Sequence, residues 1–332
     1  MAEQRRNRFG KLIILGIIGI VVLLLVGRNF LLQHDPSMGI RYPEQFPAPI
    51  DTTSVTVQGA TLGRLLFNDP ILSRHQETAC ASCHQQAAAY ADLQQPLSTG
   101  DAGQETVRNS PALMNLIWKK KFFADGRATR ISETVYNAII DKRELNSDMR
   151  LILARLNAHP IYLEKFQRLN NTEKITTDNV LDVLSQYLRT LNSSNSKYDA
   201  FVQNKALFTT EEAQGWKLFQ ANCQSCHVPP LFDMPQAHNV NSGLGNDLGA
   251  YLFTNQDRDK HAFYAGSLRN IIYSAPYFHD GRFATLDDLL AFHTQVENTN
   301  QLQHSLSRQE QKAVISFLNS LSDSQFISSQ SY

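Results

Sequence analysis

The chain reads CASCH at residues 80–84 and CQSCH at residues 223–227, and these stretches hold all four of its cysteines: Cys80, Cys83, Cys223 and Cys226. Two thiols separated by two residues can bond to the two vinyl groups along one edge of a haem. The histidine that follows then lies under the iron as an axial ligand. The pattern therefore predicts two covalently attached c-type haems, with His84 and His227 as proximal ligands.

Zinc or a redox-active dithiol is the alternative use of such cysteine pairs. A zinc site needs four ligands in one cluster, and two pairs that are distant in sequence could in principle meet. Zinc does not require a histidine directly after the second cysteine, whereas both stretches carry one. The repeated histidine favours haem.

The composition excludes some classes of function. Lys plus Arg equals Asp plus Glu, 31 residues of each, so no net basic charge supports nucleic-acid binding. A length of 332 residues suits about two domains.

The N-terminus predicts a membrane anchor over residues 1–33. Four basic residues precede an apolar run at 12–26, which approaches the length of a span if Arg28 reaches the interface. Basic charge before the run places the rest of the chain outside the cytoplasm. The alternative is a cleaved signal peptide, which would leave a soluble exported protein.

Beyond residue 33 the pattern is mostly α-helical. Residues 179–192 form one apolar helical face, and the polar stretch 192–196 then breaks it. Capping-box pairs begin two later helices, Thr209 with Glu212 and Ser307 with Glu310. Residues 34–58 and 234–262 have no helical period and are expected to be irregular. We therefore expect two tandem cytochrome c-like domains, 34–195 and 196–332.

A loose internal repeat supports two related domains. LGRLLF at 62–67 precedes the first CxxCH, and QGWKLF at 214–219 precedes the second. Downstream, Arg108-Asn109 leads to an Asp-Gly-Arg at 125–127, and Arg269-Asn270 leads to another at 280–282.

The ligand in the second axial position of each haem decides whether the iron is open to bind peroxide or another small molecule. In the C-terminal half, His293 follows Leu286, Leu289 and Leu290 at helical spacing and so points with the apolar stripe. It is the predicted distal ligand, with His279, His238 and His261 as alternatives. Between His84 and Asn192 the only other histidine is His159, which is expected to be solvated, and Met114 is the only methionine near the region that should cover the haem. The first iron is therefore expected to be open.

The sequence resembles the bacterial di-haem cytochrome c peroxidase and MauG family over roughly residues 45–322. Besides the haem stretches, the likeness is carried by LGRLLF at 62–67, RNSP at 108–111, FFADGRA at 122–128, SLRN at 267–270 and APYFHDG at 275–281.

The resemblance implies that the N-terminal haem is peroxidatic and that the C-terminal haem passes electrons. The family's catalytic glutamate falls on Glu144, which would move a proton between the peroxide oxygens. A calcium ion between the haem domains would be bound by the Asn109 side chain and the carbonyls of Ser274 and Pro276. Without the resemblance, the sequence would indicate a solvated surface charge at Glu144 and a turn or capping residue at Asn109.

The positions that depart from the family pattern are as informative as those that match it. Asp101 stands where many family members carry a histidine that blocks the peroxidatic iron. His293 stands where a methionine or tyrosine ligand is usual, and Ala124 replaces the tryptophan between the haems. Thr134 and Ala138 replace a distal Gln and Pro, so the peroxide pocket is altered.

The resulting expectation is an oxidoreductase of the cytochrome c peroxidase type. It would reduce hydrogen peroxide to water with electrons from a small cytochrome c or a copper protein. A MauG-like enzyme that oxidises a partner protein is one alternative, and a non-catalytic electron carrier is the other. Family members are often dimers, so a homodimer is a further expectation.

Overall fold

The computed structural model describes residues 42–93, 95–234, 236–239, 246–295 and 306–328. The predicted anchor, residues 1–33, lies outside these ranges. Within them, no helix is both long enough and apolar enough to span a bilayer.

The described chain is mostly helical, as predicted from the sequence. Its helices are α1 (Val57–Phe67), α2 (Cys80–Cys83), α3 (Ile131–Ile140), α4 (Met149–Ala158), α5 (Pro160–Asn170), α6 (Thr177–Thr190), α7 (Lys197–Val202), α8 (Thr210–Asn222), α9 (Tyr251–Thr254), α10 (Leu286–Gln295), α11 (Arg308–Asn319) and α12 (Ser324–Ser328). Short 3₁₀ turns are Pro70–Leu72, Gln86–Ala88, Asp101–Gly103, Leu116–Trp118, Asp257–Asp259 and Ile271–Tyr273. Strands β1 (His238–Asn239) and β2 (Ala262–Phe263) pair antiparallel, with His238 opposite Phe263.

The two capping boxes predicted from the sequence are confirmed. The Thr209 hydroxyl accepts the Glu212 N–H at 3.2 Å, and the Glu212 carboxylate accepts the Thr209 N–H at 2.7 Å. Ser307 and Glu310 exchange the same two bonds at the start of α11. Each pair satisfies two backbone donors that would otherwise lack a partner at a helix start.

The boundaries of the irregular segments differ slightly from expectation. Helix α1 begins at Val57, inside the stretch expected to be irregular, because the Thr56 hydroxyl caps it by accepting the Gly59 N–H at 3.0 Å. The stretch 234–262 contains the β1–β2 pair and the single-turn helix α9.

Two close helix pairs form the frame of the molecule, α1 against α6 and α8 against α11. A β-carbon on Gly63 would lie 1.9 Å from the Val183 carbonyl oxygen, and one on Gly215 would lie 1.9 Å from that of Ala313. No side chain fits at such a crossing, which gives a physical reason for the glycine in both LGRLLF and QGWKLF.

The repeat continues after these helix pairs, although in a different register from the one the sequence indicated. Asn270 corresponds structurally to Asn115 rather than to Asn109. Both residues have left-handed backbones, with φ of 56° and 54°, and both precede a 3₁₀ turn. Each stands ten residues before an Asp-Gly-Arg whose glycine has positive φ, Gly126 or Gly281.

The hydrophobic core forms two clusters, one drawn from residues 46–191 and one from 198–321. The apolar face expected on α6 is buried in the first cluster: Val180, Val183, Leu184, Tyr187, Leu188 and Leu191. A domain boundary at residue 195 stays a prediction.

Buried polar contacts join the two clusters. Asn270 is fully buried, donates its side-chain N–H to the Ser193 hydroxyl at 2.9 Å, and accepts the Asp323 N–H at 2.7 Å. Arg269, also fully buried, forms a bidentate pair with Asp199 within the second half, and its guanidinium lies over the Phe46 ring of the first cluster at 4.7 Å. The Asn270–Ser193 bond is thus a satisfied polar contact between the two halves.

Candidate haem sites and active site

The first CxxCH motif is a single helical turn, α2, closed by its histidine. The His84 N–H donates to the Cys80 carbonyl at 3.0 Å, and its ring Nδ1–H donates to the Tyr90 carbonyl at 2.8 Å. This bond leaves Nε2 unprotonated, so that it can bind a metal. Burial lowers the pKa of His84, which keeps the ring neutral.

The second motif follows the end of α8 and repeats the backbone bond of the first, but the His227 Nδ1 has no hydrogen-bond partner among the described residues. The His227 N–H donates to the Cys223 carbonyl at 2.9 Å, as in the first motif. Burial, together with the nearby His293 and His238, lowers the pKa of His227 to about 4. Its imidazole is therefore also neutral at physiological pH and suited to bind a metal.

One cavity of about 600 Å³ borders both motifs, including all four cysteines, His84 and His227. None of the four cysteines is in a disulfide. Apolar side chains from both core clusters line this cavity, among them Phe67, Leu116, Trp118, Leu184, Leu188, Phe219, Leu289, Leu290 and Leu318. Each motif thus presents two thiols and one neutral imidazole to an apolar space, and this donor set fits haem c.

The zinc alternative finds no support. Within the described ranges, no group of three or more His, Cys, Asp or Glu side chains is arranged to hold a metal ion. The two cysteine pairs therefore do not meet in one cluster.

Glu144 lies in the turn after α3 and borders the same cavity as His84. Burial raises the pKa of Glu144 to about 7; nearby Asp141 adds to the rise, and Arg127 opposes it. A carboxyl group of that pKa can both accept and return a proton near neutrality. Its place beside the cavity argues against a solvated surface charge.

The other positions that depart from the family pattern also border the cavity. Thr134 and Ala138 lie one turn apart on α3 and share its cavity-facing side. Ala124 borders it as well, and its carbonyl accepts the Tyr264 N–H at 2.7 Å.

Asp101 is fully buried and directs its carboxylate to His75. One carboxylate oxygen lies 2.6 Å from the His75 Nδ1, and the other accepts the His75 backbone N–H at 3.2 Å. The residue that stands in place of a blocking histidine is therefore held away from the iron site.

The two side chains considered as further ligands in the N-terminal half lie elsewhere. Met114 is buried at the junction of the clusters, where its sulfur lies 3.4 Å from the Asn270 amide nitrogen. His159 is half-buried: its ring lies against Tyr162, with centroids 5.0 Å apart, and its Nδ1 is shielded from solvent.

Three of the four histidines considered for the second haem border the cavity: His293, His279 and His238. His293 lies on α10, and its charge, like that of His238, influences His227. His279 stacks on Phe263 with ring centroids 4.2 Å apart. The ring of His261 instead bonds to the Asp247 carbonyl at 2.9 Å.

The three residues of the expected calcium site all border the cavity. The Asn109 backbone N–H donates to the His279 carbonyl at 2.8 Å, which brings it next to the segment containing Ser274 and Pro276. Its amide nitrogen donates to the carbonyls of Gln95 and Pro96, so the amide oxygen points away from those two groups.

Sequence reasoning missed three residues of this region. Arg127, paired with Asp125 at 2.9 Å, acts electrostatically on Glu144. Tyr264 packs on Gly126, where an added β-carbon would lie 2.4 Å from its ring. His75 holds Asp101. The repeated Asp-Gly-Arg could have indicated Arg127, whereas no local signal identifies Tyr264 or His75.

Comparison with known proteins agrees with this geometry. The sequence model of the family described as di-haem cytochrome c peroxidase matches residues 57–207. The cytochrome-c peroxidase IdrP2 of Denitromonas iodatirespirans is 31% identical over 79% of this chain and 80% of its own length. The cytochrome c551 peroxidase of Pseudomonas aeruginosa is 30% identical over 82% of this chain and 80% of its own.

Solved structures show the same fold. A MauG-like protein associated with microbial copper homeostasis superposes with a TM-score of 0.78 at 24% identity, over 89% of this chain and 98% of its own. The di-haem peroxidase BthA of Burkholderia thailandensis gives a TM-score of 0.70 at 18% identity, over 88% and 97%.

Fold and site together define an oxidoreductase of the cytochrome c peroxidase type with two haem c groups. The chain belongs to the di-haem cytochrome c peroxidase and MauG family, and the resemblance stated from its sequence is thereby confirmed.

Proposed function

We propose that the chain reduces hydrogen peroxide to water at the haem bound by Cys80, Cys83 and His84. The observation that carries the proposal is the half-buried carboxyl group of Glu144, which borders the same cavity and has its pKa raised to about 7. The haem held there would supply the metal centre and pass on two electrons that come from an external donor. The protein has to supply a proton relay, and Glu144 is suited to that task.

Glu144 acts first as a base and then as an acid. Its carboxylate accepts the proton from one peroxide oxygen and returns it to the other oxygen, which leaves as water. With two electrons and two further protons, one peroxide gives two waters. The apolar lining strengthens the electrostatic effect of Glu144 and Arg127 on the substrate.

The first iron is proposed to be open in the oxidised protein. Three observations on the side chains considered as ligands or as a blocking residue support this. Asp101 is bound to His75, Met114 lies at the junction of the two core clusters, and His159 lies against Tyr162.

We expect one of the two haems to show a high-spin ferric signal without prior reduction, because neither Met114 nor His159 borders the cavity that would hold the haem of Cys80 and Cys83. Electron paramagnetic resonance of the oxidised protein measures this. Peroxide should also be consumed from the first turnover without pre-reduction. Two low-spin signals, together with a lag abolished by pre-reduction, would contradict the open site.

The haem bound by Cys223, Cys226 and His227 is proposed to receive electrons from a small cytochrome c or a copper protein. His293 is its proposed distal ligand, because it borders the cavity from α10 and lies close enough to His227 to lower its pKa. Bis-histidine ligation gives a lower potential than His/Met ligation.

Replacing His293 by methionine should raise the potential of the second haem by roughly 0.1–0.3 V, a part of the range of about 0.8 V that axial ligands span. Spectroelectrochemical titration measures the shift. His279→Met and His238→Met are the matched controls, and they should leave the potential unchanged. If His279→Met gave the shift and His293→Met did not, His279 would be the ligand.

A calcium ion between the halves is proposed at Asn109, Ser274 and Pro276. Amide and carbonyl oxygens suit calcium, and the Asn109–His279 backbone bond brings the ligands together. Chelation should lower turnover roughly tenfold, a usual coupling between two sites, and calcium but not magnesium should restore it. Asn109→Ala should reproduce the loss. Full turnover after chelation, with no calcium found by elemental analysis, would contradict the site.

The proposed location is the periplasmic side of the inner membrane, on the strength of the basic and apolar N-terminal pattern. The anchor and the homodimer stay predictions.

A further inference from the structure

The turn that carries Glu144 is supported by two neighbouring backbone segments. The Asp101 N–H donates to the Glu144 carbonyl at 2.7 Å. On the next residue, the Leu145 carbonyl accepts the Arg74 N–H at 3.0 Å, and the Arg74 Nε–H donates to the Asn146 carbonyl at 2.7 Å. Three consecutive carbonyls are thus held from outside the turn.

The two supporting segments are tied to each other by the pair of Asp101 and His75. Both oxygens of the buried Asp101 carboxylate bind His75, one at the backbone N–H and one at the ring. His75 directly follows Arg74, so the carboxylate fixes the same segment that holds Leu145. Arg155 anchors this segment from its other side through the Ser73 and Arg74 carbonyls, at 2.5 and 2.6 Å.

Close packing leaves the turn no room to move independently. A β-carbon on Gly100 would lie 2.1 Å from the Arg143 carbonyl oxygen and 2.6 Å from that of Glu144. The backbone before Asp101 therefore touches the backbone of the Glu144 turn, and a displacement of one displaces the other.

We propose that Asp101, held by His75, is a positioning residue that fixes Glu144 in the cavity. We call the Asp101–His75 pair, together with its contacts to the Glu144 turn, the clamp. The proposal rests on the proposed function for the role of Glu144 in proton transfer, but the clamp itself rests on the contacts alone. A catalytic carboxyl group that moves by about 1 Å can lose a hundredfold in rate, so such a clamp has a functional effect.

Loss of the clamp should change the surroundings of Glu144 as well as its position. The charged groups that face it are Asp141 on its own turn and Arg127 from the loop before α3. A loosened turn lets water reach the carboxyl group, which removes part of the burial that raises its pKa. The pKa then moves down, toward the ordinary glutamate value of about 4.3.

The test uses Asp101→Ala and Asp101→Asn in the full haem-loaded protein, read by hydrogen exchange. Exchange of the amides in residues 141–147 should rise about tenfold or more in Asp101→Ala and less in Asp101→Asn, which keeps one acceptor for the His75 N–H. Asp69→Ala is the matched control: this carboxylate also bonds a backbone N–H, that of Ile71, and a side chain, Tyr162, but does not contact the turn.

The second readout is the pH profile of kcat/KM for peroxide. The acid limb, near pH 7 in the wild type, should move down by about one pH unit in Asp101→Ala and stay in place in Asp69→Ala. An unmoved limb and unchanged exchange would overturn the clamp. Raised exchange in a protein without peroxidase activity would retain the clamp and reject the proposed function instead.

Discussion

Glu144→Gln should lower kcat for peroxide reduction by a factor of about 10² to 10⁴, the usual contribution of a general acid–base group. The amide fills the same space beside the cavity but cannot accept the first proton of peroxide. The measurement is steady-state oxidation of a reduced small cytochrome c by hydrogen peroxide.

The pKa of Glu144 also predicts the direction in which the kcat/KM of the wild type changes with pH. The pKa of Glu144 is raised to about 7, mainly by burial, so the carboxylate that accepts the proton is lost as pH falls below 7. kcat/KM should therefore fall about tenfold for each pH unit below 7 and level off above it.

Glu133→Gln is the matched control for Glu144→Gln. Glu133 lies on α3 and can also be replaced by glutamine, but its carboxylate is bound to Thr129 and Arg130 outside the cavity. Its replacement should leave turnover unchanged. Turnover of Glu144→Gln within threefold of the wild type would reject the proton relay. Negligible wild-type turnover with several donors, alongside a long-lived spectral change after peroxide, would favour a MauG-like reaction on a partner protein.

Asp199→Asn should destabilise the protein by about 3–5 kcal/mol, because it leaves the buried charge of Arg269 without its partner. The side chains of Arg269 and Asp199 are 0% and 2% exposed, and two bonds of 2.8 and 2.7 Å join them. The guanidinium also lies over the Phe46 ring at 4.7 Å, so it links the second core cluster to the first. The midpoint of urea unfolding, measured on the haem-loaded protein, reports the loss.

The exposed pair of Glu164 and Arg168 is the control, since its side chains are 59% and 71% exposed. Glu164→Gln should cost less than about 1 kcal/mol. The double variant Asp199→Leu with Arg269→Met should recover much of the loss, because it removes both charges at once. A loss below 1 kcal/mol in Asp199→Asn would show that the pair does not hold the junction.

The Asp199 pair also predicts a pH dependence of stability. Burial opposes ionisation, but the Arg269 guanidinium holds the pKa of Asp199 below its ordinary value. The stabilisation is therefore fully present above the unfolded value of about 3.9 and is lost as pH falls through the lower folded value. Asp199→Asn should remove this part of the acid sensitivity.

Features that depend on neighbours along the chain could be predicted from local patterns. The capping boxes and the apolar face of α6 follow from the spacing of a few residues, and the CxxCH stretches follow from the histidine directly after each cysteine pair. The position of His293 on its helix followed from spacing in the same way. The family resemblance added the prediction of Glu144 as the catalytic residue, a role that no local pattern indicates.

Contacts between distant segments depend on the fold and not on local patterns. The sequence pairs Asn270 with Asn109, whereas the backbone conformation pairs Asn270 with Asn115. The sequence shows Asp101 only as a position without the usual histidine, and the fold brings it to His75, 26 residues away. The raised pKa of Glu144 likewise comes from burial by other segments. Burial and pairing at a distance follow from packing, which a local sequence pattern does not encode.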